Sequence, residues 1–231
     1  MNKEIAINIL KETEQGYDQI AEKFSETRKY FWEDLEFVKN YVQSGDKILD
    51  YGSGNGRLLQ LFSGKTIDYT GLDISGKMIN IAKAMHNDPM IKFRKITSFD
   101  SLTFPGNFFN AVYSISVFHH LPSRKLRSKV AKELHRILRP GGFIIVTTWN
   151  LWQRKYFKRI LINWANKLTG RNPLDWNDCW IDFKDNRGNI FNRYHHAFRK
   201  RELKKLFVEA GFVAEKSEII NGKSIIFIGK K

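Results

Sequence analysis

Ile48-Leu49-Asp50-Tyr51-Gly52-Ser53-Gly54-Asn55-Gly56-Arg57-Leu58-Leu59 is the stretch on which the reading of this chain turns. The apolar run from Lys47 to Leu49 reads as a buried parallel strand. It ends in an acid and three glycines on alternate positions, and an amphipathic run begins near Arg57 and reads as a helix. Strand, glycine turn and helix make the ligand crevice of a doubly wound α/β sheet. Glycine reaches backbone angles closed to other residues and lets a ligand lie against the main chain. A helix starting there would face the ligand with unpaired N–H groups.

The spacing narrows the ligand. Dinucleotide sites use Gly-x-Gly-x-x-Gly, whereas the third glycine here comes one place early and Arg57 stands where that fingerprint has glycine. Asp50 adds a carboxylate at the strand end, suited to a cationic group. A second acid, Asp73, closes the run Tyr69-Thr70-Gly71-Leu72-Asp73. An acid at the end of the second strand is placed to accept hydrogen bonds from ribose hydroxyls. Acid-x-Gly-x-Gly-x-Gly with a ribose acid resembles the S-adenosylmethionine (SAM) site of class I methyltransferases. That ligand carries an ammonium and a ribose and no phosphate.

The remaining chain fits the same frame. At 231 residues it is long enough for one sizeable domain with a full core. The resemblance implies a seven-stranded, mostly parallel, doubly wound sheet with N-terminal helices and a lid insertion before the last two strands. The expected division is a helical cap over 1–45, a SAM-binding core over 46–149, a lid over 150–198, and a helix with a strand pair over 199–231. Residues 2–43 read as two or three helices, with Tyr17, Ile20, Ala21 and Phe24 on one face. Strands are expected at Ile67–Asp73, Ile91–Lys95, Phe109–Ile115 and Phe143–Trp149, with helices near Gly76–Met85 and over Ser123–Leu138. Phe157, Ile160, Leu161, Trp164 and Leu168 predict an amphipathic helix, and Gly170–Asn192 reads as a long loop. Glu202–Ala210 reads as a helix, followed by an antiparallel pair, Phe212–Ile219 and Ser224–Ile228.

Composition bounds the partners. Lys and Arg number 39 against 24 acids, a net charge of +15, which favours an anionic partner such as RNA. One cysteine, Cys179, excludes an internal disulfide and points to a reducing, cytoplasmic setting. No apolar stretch approaches membrane-spanning length, so no membrane partner is expected. At the end of the fourth strand, Ser116-Val117-Phe118-His119-His120 puts two histidines at the carboxyl edge of the sheet, where one of them, His119, is a candidate to contact substrate or accept a proton. No metal is expected, because adjacent side chains diverge and the sequence shows no third ligand nearby.

Read as a whole, the chain resembles the tRNA wobble-uridine methyltransferases that esterify 5-carboxymethyluridine. The similar stretches are Tyr17-x-x-Ile20-Ala21-x-x-Phe24-Ser25-x-Thr27-Arg28, Asp50 to Gly56, Ile115-Ser116-Val117-Phe118-His119-His120, and Asn192-Arg193-Tyr194-His195. The resemblance implies SAM as cofactor and tRNA as partner, with a small zinc-binding activator subunit as a further candidate because the eukaryotic members use one. It places Arg28, Asp50, Gly52, Gly54, Gly56, Asp73, Ile74, Ser98, Phe99 and Ser116 on the cofactor side. Arg193, Tyr194 and His195 become the candidates to hold an acceptor carboxylate, which is ionised at neutral pH and requires no general base. Two other readings share these residues. One is a small-molecule O- or N-methyltransferase of the same fold, and the other is a SAM-binding RNA or partner subunit without catalysis.

Overall fold

The computed structural model describes all residues except 171, 186, 187 and 189. Its centre is a seven-stranded sheet built from β1 (Lys47–Tyr51), β2 (Asp68–Asp73), β3 (Ile91–Lys95), β4 (Phe109–Ile115), β5 (Leu138–Trp149), β8 (Val213–Ile220) and β9 (Ser224–Lys230). Spatial order is β3-β2-β1-β4-β5-β9-β8, parallel throughout except that β9 runs antiparallel to both neighbours. The order reverses between β1 and β4. At that switch point the loops leaving both strands part and open a crevice.

Both faces of the sheet are covered, which is why its central strands are apolar on consecutive residues rather than alternate ones. Leu49, Val112, Ile144 and Phe227 face one layer with α3 (Arg124–Ile137) and α5 (Lys200–Glu209). Ile48, Ala111, Ile145 and Ile226 face the other, with α2 (Gly76–Met85) and two 3-10 helices, Glu33–Tyr41 and Arg57–Phe62. Ser75 and Ser123 cap α2 and α3, each accepting a bond from a backbone N–H three residues on.

Of the two or three helices expected over 2–43, the structure has two, the long helix α1 (Lys3–Glu26) and the first 3-10 helix. Gly16 lies within α1, and a Cβ there would lie 1.9 Å from the Phe191 ring, so the glycine is a packing notch. Other expectations are corrected. The segment after Gly56 is a six-residue 3-10 helix, entered from left-handed Gly56 and ended at Ser63-Gly64. The expected α-helix is thus a single short 3-10 segment, and no α-helix N-terminus faces the crevice there.

Gly170–Asn192 is not one loop. It contains β6 (Asp178–Lys184) and the start of β7 (Ile190–His196), which pair antiparallel as a separate two-stranded sheet. Residues 171, 186, 187 and 189 of that stretch lie outside the described residues. The hairpin packs on α4 (Arg154–Leu168) through Cys179, Ile181 and Ile160. The chain therefore has nine described strands, seven of them in the main sheet.

Candidate active site

The crevice is a pocket between the ends of β1, β2 and β4 on one side and α1 on the other. Its wall includes Asp50, Gly52, Gly54, Asp73, Ile74, Phe99 and Ser116 from the expected cofactor set. Three expected residues are placed elsewhere. Gly56 packs beneath the loop, where a Cβ would meet Phe93 at 2.7 Å. Ser98 lies off the wall beside Asp100, and Arg28 lines the neighbouring cleft.

Each glycine of the loop has its own cause. Gly52, Gly54 and Gly56 all take positive φ, +83°, +56° and +79°. A Cβ on Gly52 would press Val117 at 2.2 Å, whereas one on Gly54 would meet nothing within 4 Å. Gly54 thus presents bare backbone to open space, the geometry a ligand lying on the main chain needs. Its N–H donates to Asp73 Oδ2 at 2.8 Å, and the Ser75 N–H donates to Oδ1 at 2.9 Å. Asp73 therefore ties the loop to β2 while keeping lone pairs for ribose hydroxyls.

Asp50 is 2% exposed, and the Tyr69 hydroxyl donates to it at 2.6 Å. Burial pushes its carboxyl up to about 7, against the opposing pull of Tyr69 and Arg57. Among the described residues Tyr69 is its hydrogen-bond donor and no cation forms an ion pair with it, a partner the SAM ammonium would supply. Ser53 Oγ, on the same wall, is buried without a partner. Bare backbone, an uncompensated acid and an orphan hydroxyl fit SAM.

The α1 side shows residues that the motif reading did not place in the site. Leu10, Thr13, Tyr17 and Phe24 all face the pocket at helical spacing. The Tyr17–Phe24 face is legible in the sequence as one face of the expected helical cap, and its packing over the strand ends makes it a pocket wall. Tyr17 is bonded to His120 Nε2 at 2.9 Å, and Arg193 lies against the same hydroxyl, opposing the rise that burial imposes on the phenol. Of the two adjacent histidines it is His120 that lines the pocket. His119 is fully buried behind it.

Backbone partners assign the imidazole tautomers. His120 Nδ1–H donates to the Tyr194 carbonyl at 2.9 Å, leaving Nε2 to accept from Tyr17. His119 Nδ1 accepts from the Trp149 N–H at 3.3 Å, so its Nε2 carries the proton. His195 Nδ1–H donates to the Arg193 carbonyl at 3.0 Å. Contrary to the sequence expectation, a third histidine does lie near the pair: ring nitrogens of His119, His120 and His195 fall within 4.8 Å of one another. As hydrogen-bonded, however, the three offer one free lone pair, on His195, and a metal site needs several. Burial pulls all three below the ordinary imidazole range, His120 to about 3 with Arg193 adding to the effect. They are neutral at physiological pH.

The other expected catalytic residues sit on β7, where strand alternation separates them. Arg193 and His195 share a face against Trp149, with the guanidinium 5.2 Å and the imidazole 5.3 Å from its ring centroid. Tyr194 points the other way, into an apolar cluster with Ile9 and Leu174. Arg193 is 4% exposed and stands one layer behind the pocket, against Tyr17.

Arg57 is the principal residue missed. It lines both the pocket and a second cleft of about 710 Å³ that opens from it past Ser116. Its guanidinium stacks 3.7 Å from the Trp32 ring centroid. Burial and Arg28 pull it down to about 10, Asp50 opposing. Arg28 is lowered too, by burial and then by Arg193. Three guanidinium groups thus press on one another where pocket and cleft join. Ser116, at that junction, holds φ +62° with its N–H bonded to Thr147. A non-glycine residue in that region stores strain, which clusters at functional sites.

Known proteins agree with this architecture. Residues 49–146, the span from β1 through most of β5, match the model of a methyltransferase domain. A tRNA (carboxymethyluridine(34)-5-O)-methyltransferase of Arabidopsis thaliana is 35% identical over 162 residues, 69% of this chain and 37% of that protein. The chain therefore spans little more than a third of that relative. The protein of the same name from Schizosaccharomyces pombe is 30% identical over 206 residues, covering 85% of this chain and 86% of its own. Among solved structures, a SAM-dependent methyltransferase from Methanosarcina mazei superposes with a TM-score of 0.71 at 22% identity, over 87% of this chain and 98% of that one. A putative methyltransferase of Haloferax volcanii, solved in complex with the Trm112 methyltransferase activator, gives 0.68 at 17%, over 94% and 96%. With sheet order, pocket and relatives in agreement, this chain carries a class I SAM-dependent methyltransferase domain and belongs to the family of the tRNA (carboxymethyluridine(34)-5-O)-methyltransferases.

Proposed function

We propose that this methyltransferase esterifies the carboxylate of a 5-carboxymethyl wobble uridine in tRNA. The observation that carries the reading is the junction itself: Arg28 and Arg57 line it, Arg193 backs it, and the histidines beside it are neutral. Such a site attracts an anion and offers no strong base. SAM, when bound, supplies a sulfonium methyl, and transfer forms the carboxylate O–C bond as the S–C bond breaks, with no proton to move. The chain's residues therefore act by holding and aligning. Arg28 and Arg57 take the carboxylates of acceptor and cofactor by charge-assisted bonds. Arg193 braces the Tyr17 hydroxyl, whose bond to His120 fixes the pocket wall. Strand β7 backs that wall from behind, through Arg193 on Tyr17 and the Tyr194 carbonyl on His120. The relatives' names and the net charge of +15 support tRNA as partner, and the Haloferax complex supports a small activator subunit.

The test is incubation with methyl-labelled SAM and total tRNA, and in parallel with small-molecule extracts. Label in the wobble nucleoside that mild alkali releases as methanol marks a methyl ester. Alkali-stable label, or label confined to small molecules, refutes the reading.

A further inference from the structure

The cleft beyond the junction has a size and lining that the acceptor base alone does not require. It measures about 710 Å³, within the range of sites that enclose a whole drug-sized ligand. Three separate elements wall it: the end of α1 with the first 3-10 helix, the start of α4, and the β8–β9 turn. Each brings a lysine, Lys29, Lys155 and Lys223, and the first two also bring aromatic rings, Tyr30, Trp32 and Tyr156. Glu26 and Asp34 are the acids on the same lining.

The aromatic rings differ in state. Trp32 is engaged beneath Arg57, and Tyr156 lies 5.3 Å from Lys155 Nζ. Tyr30 is 82% exposed. A single exposed aromatic is ordinary on a protein surface. This one stands on a cleft wall between a lysine and a tryptophan, and the cleft leads to a cationic junction. Rings spaced among lysines along a groove are how proteins hold single-stranded nucleic acid: bases stack on the rings and phosphates meet the ammonium groups. A metabolite acceptor would leave most of this lining unused.

We propose that the cleft binds the nucleotides flanking the methyl acceptor, with Tyr30 stacking an adjacent base and Lys29, Lys155 and Lys223 meeting the phosphates. The acceptor must leave the anticodon stack to reach the junction, and a neighbouring base that loses a stacking partner finds one in Tyr30. This rests on the tRNA reading above and adds to it where specificity for the loop resides.

Fluorescence anisotropy with an anticodon stem–loop carrying 5-carboxymethyluridine tests it, alongside calorimetry with SAM. Tyr30→Ala should weaken the stem–loop roughly 5- to 100-fold, with SAM affinity held, and Tyr30→Phe should retain binding. Lys155→Gln with Lys223→Gln should reduce the slope of log affinity against log salt by about 1.4, at roughly 0.7 for each single-strand phosphate contact. Unchanged stem–loop affinity and salt slope in these variants overturns the cleft assignment. Failure of the acceptor assignment looks different: the unaltered protein binds the stem–loop, the variants lose it, and no methyl is transferred.

Discussion

Asp50→Asn separates the two things this buried acid does. The amide oxygen can still accept from Tyr69, so the packing is conserved and the charge is removed. In the protein without ligand, the carboxyl stands near 7 rather than 3.8, raised first by burial. Each tenfold in that equilibrium is worth about 1.4 kcal/mol, so the ionised carboxylate destabilises the fold by about 4 kcal/mol. The sign follows from the raised value. The contribution of the protonated group is fully present below about pH 4 and is lost as pH rises to about 7. Urea denaturation should therefore find Asp50→Asn more stable than the natural chain, with a gap of about 2 kcal/mol at pH 5 and about 4 kcal/mol at pH 8. Calorimetry on the same variant should show SAM bound about 10- to 100-fold more weakly, the loss of one charge-assisted bond to the ligand ammonium. A stability gap that does not change with pH, or undiminished SAM affinity, would refute the assignment of Asp50 as the cation's partner.

Four further outcomes are expected. SAM affinity of the natural protein should fall as pH drops below about 7 and Asp50 takes up its proton, levelling off at about the 10- to 100-fold loss of Asp50→Asn; a flat calorimetric profile between pH 5 and 7 contradicts this. Gly54→Ala should lower SAM affinity sharply while costing about 1–2 kcal/mol of stability for its left-handed backbone, whereas Gly52→Ala, which presses Val117, should lose more in a melting experiment. Asp73→Ala should weaken SAM far more than it harms folding, since it removes the ribose acceptor and the tie to Gly54; unchanged affinity counts against the site. Arg193→Ala should spare SAM binding and cut turnover on tRNA about 100-fold, the cost of a small misplacement at a positioned site, with Arg193→Lys failing to restore it. Full turnover in Arg193→Ala would remove Arg193 from the acceptor side.

The cofactor half of the site was legible because its chemistry is local. Acid, glycines and ribose acid follow one another along two strands, and the apolar runs of β1, β4 and β5 announce a sheet covered on both faces. The acceptor half was not, because a polar strand was buried. In β7, Arg193, His195 and His196 all lie inside, and in β6 the inward Asp178 is paired with His196 at 2.7 Å. Pairing with Asp178 and Glu202 lets His196 occupy a core position, while Arg193 Nε and His195 Nε2 are buried without a hydrogen-bond partner among the described residues, and polar residues on the inward face erase the alternation by which a strand is recognised. Once β7 is known to be a strand, its period of two sends Tyr194 away from Arg193 and His195. His119 and His120 are adjacent and chemically identical. Which of them meets the pocket depends on Tyr17, a residue over one hundred positions away.

Burial comes first in setting the protonation states around the junction, and one electrostatic field adds to it. Arg193 pulls His120 down, presses on Arg28, and lies against Tyr17; Arg28 in turn presses on Arg57. Positive charge gathered in a buried place makes each further proton costly, so the imidazoles stay neutral and serve as hydrogen-bonding struts. The same gathering destabilises the arginines themselves until anions arrive. SAM brings one carboxylate and the proposed acceptor a second, so binding each relieves repulsion that the empty protein bears. Asp50 is the mirror case, an acid buried without its cation. On the proposed reading, the acid at the end of β1 would draw the cofactor's ammonium and Arg28 with Arg57 its carboxylate, so charge would orient the ligand before any close packing forms.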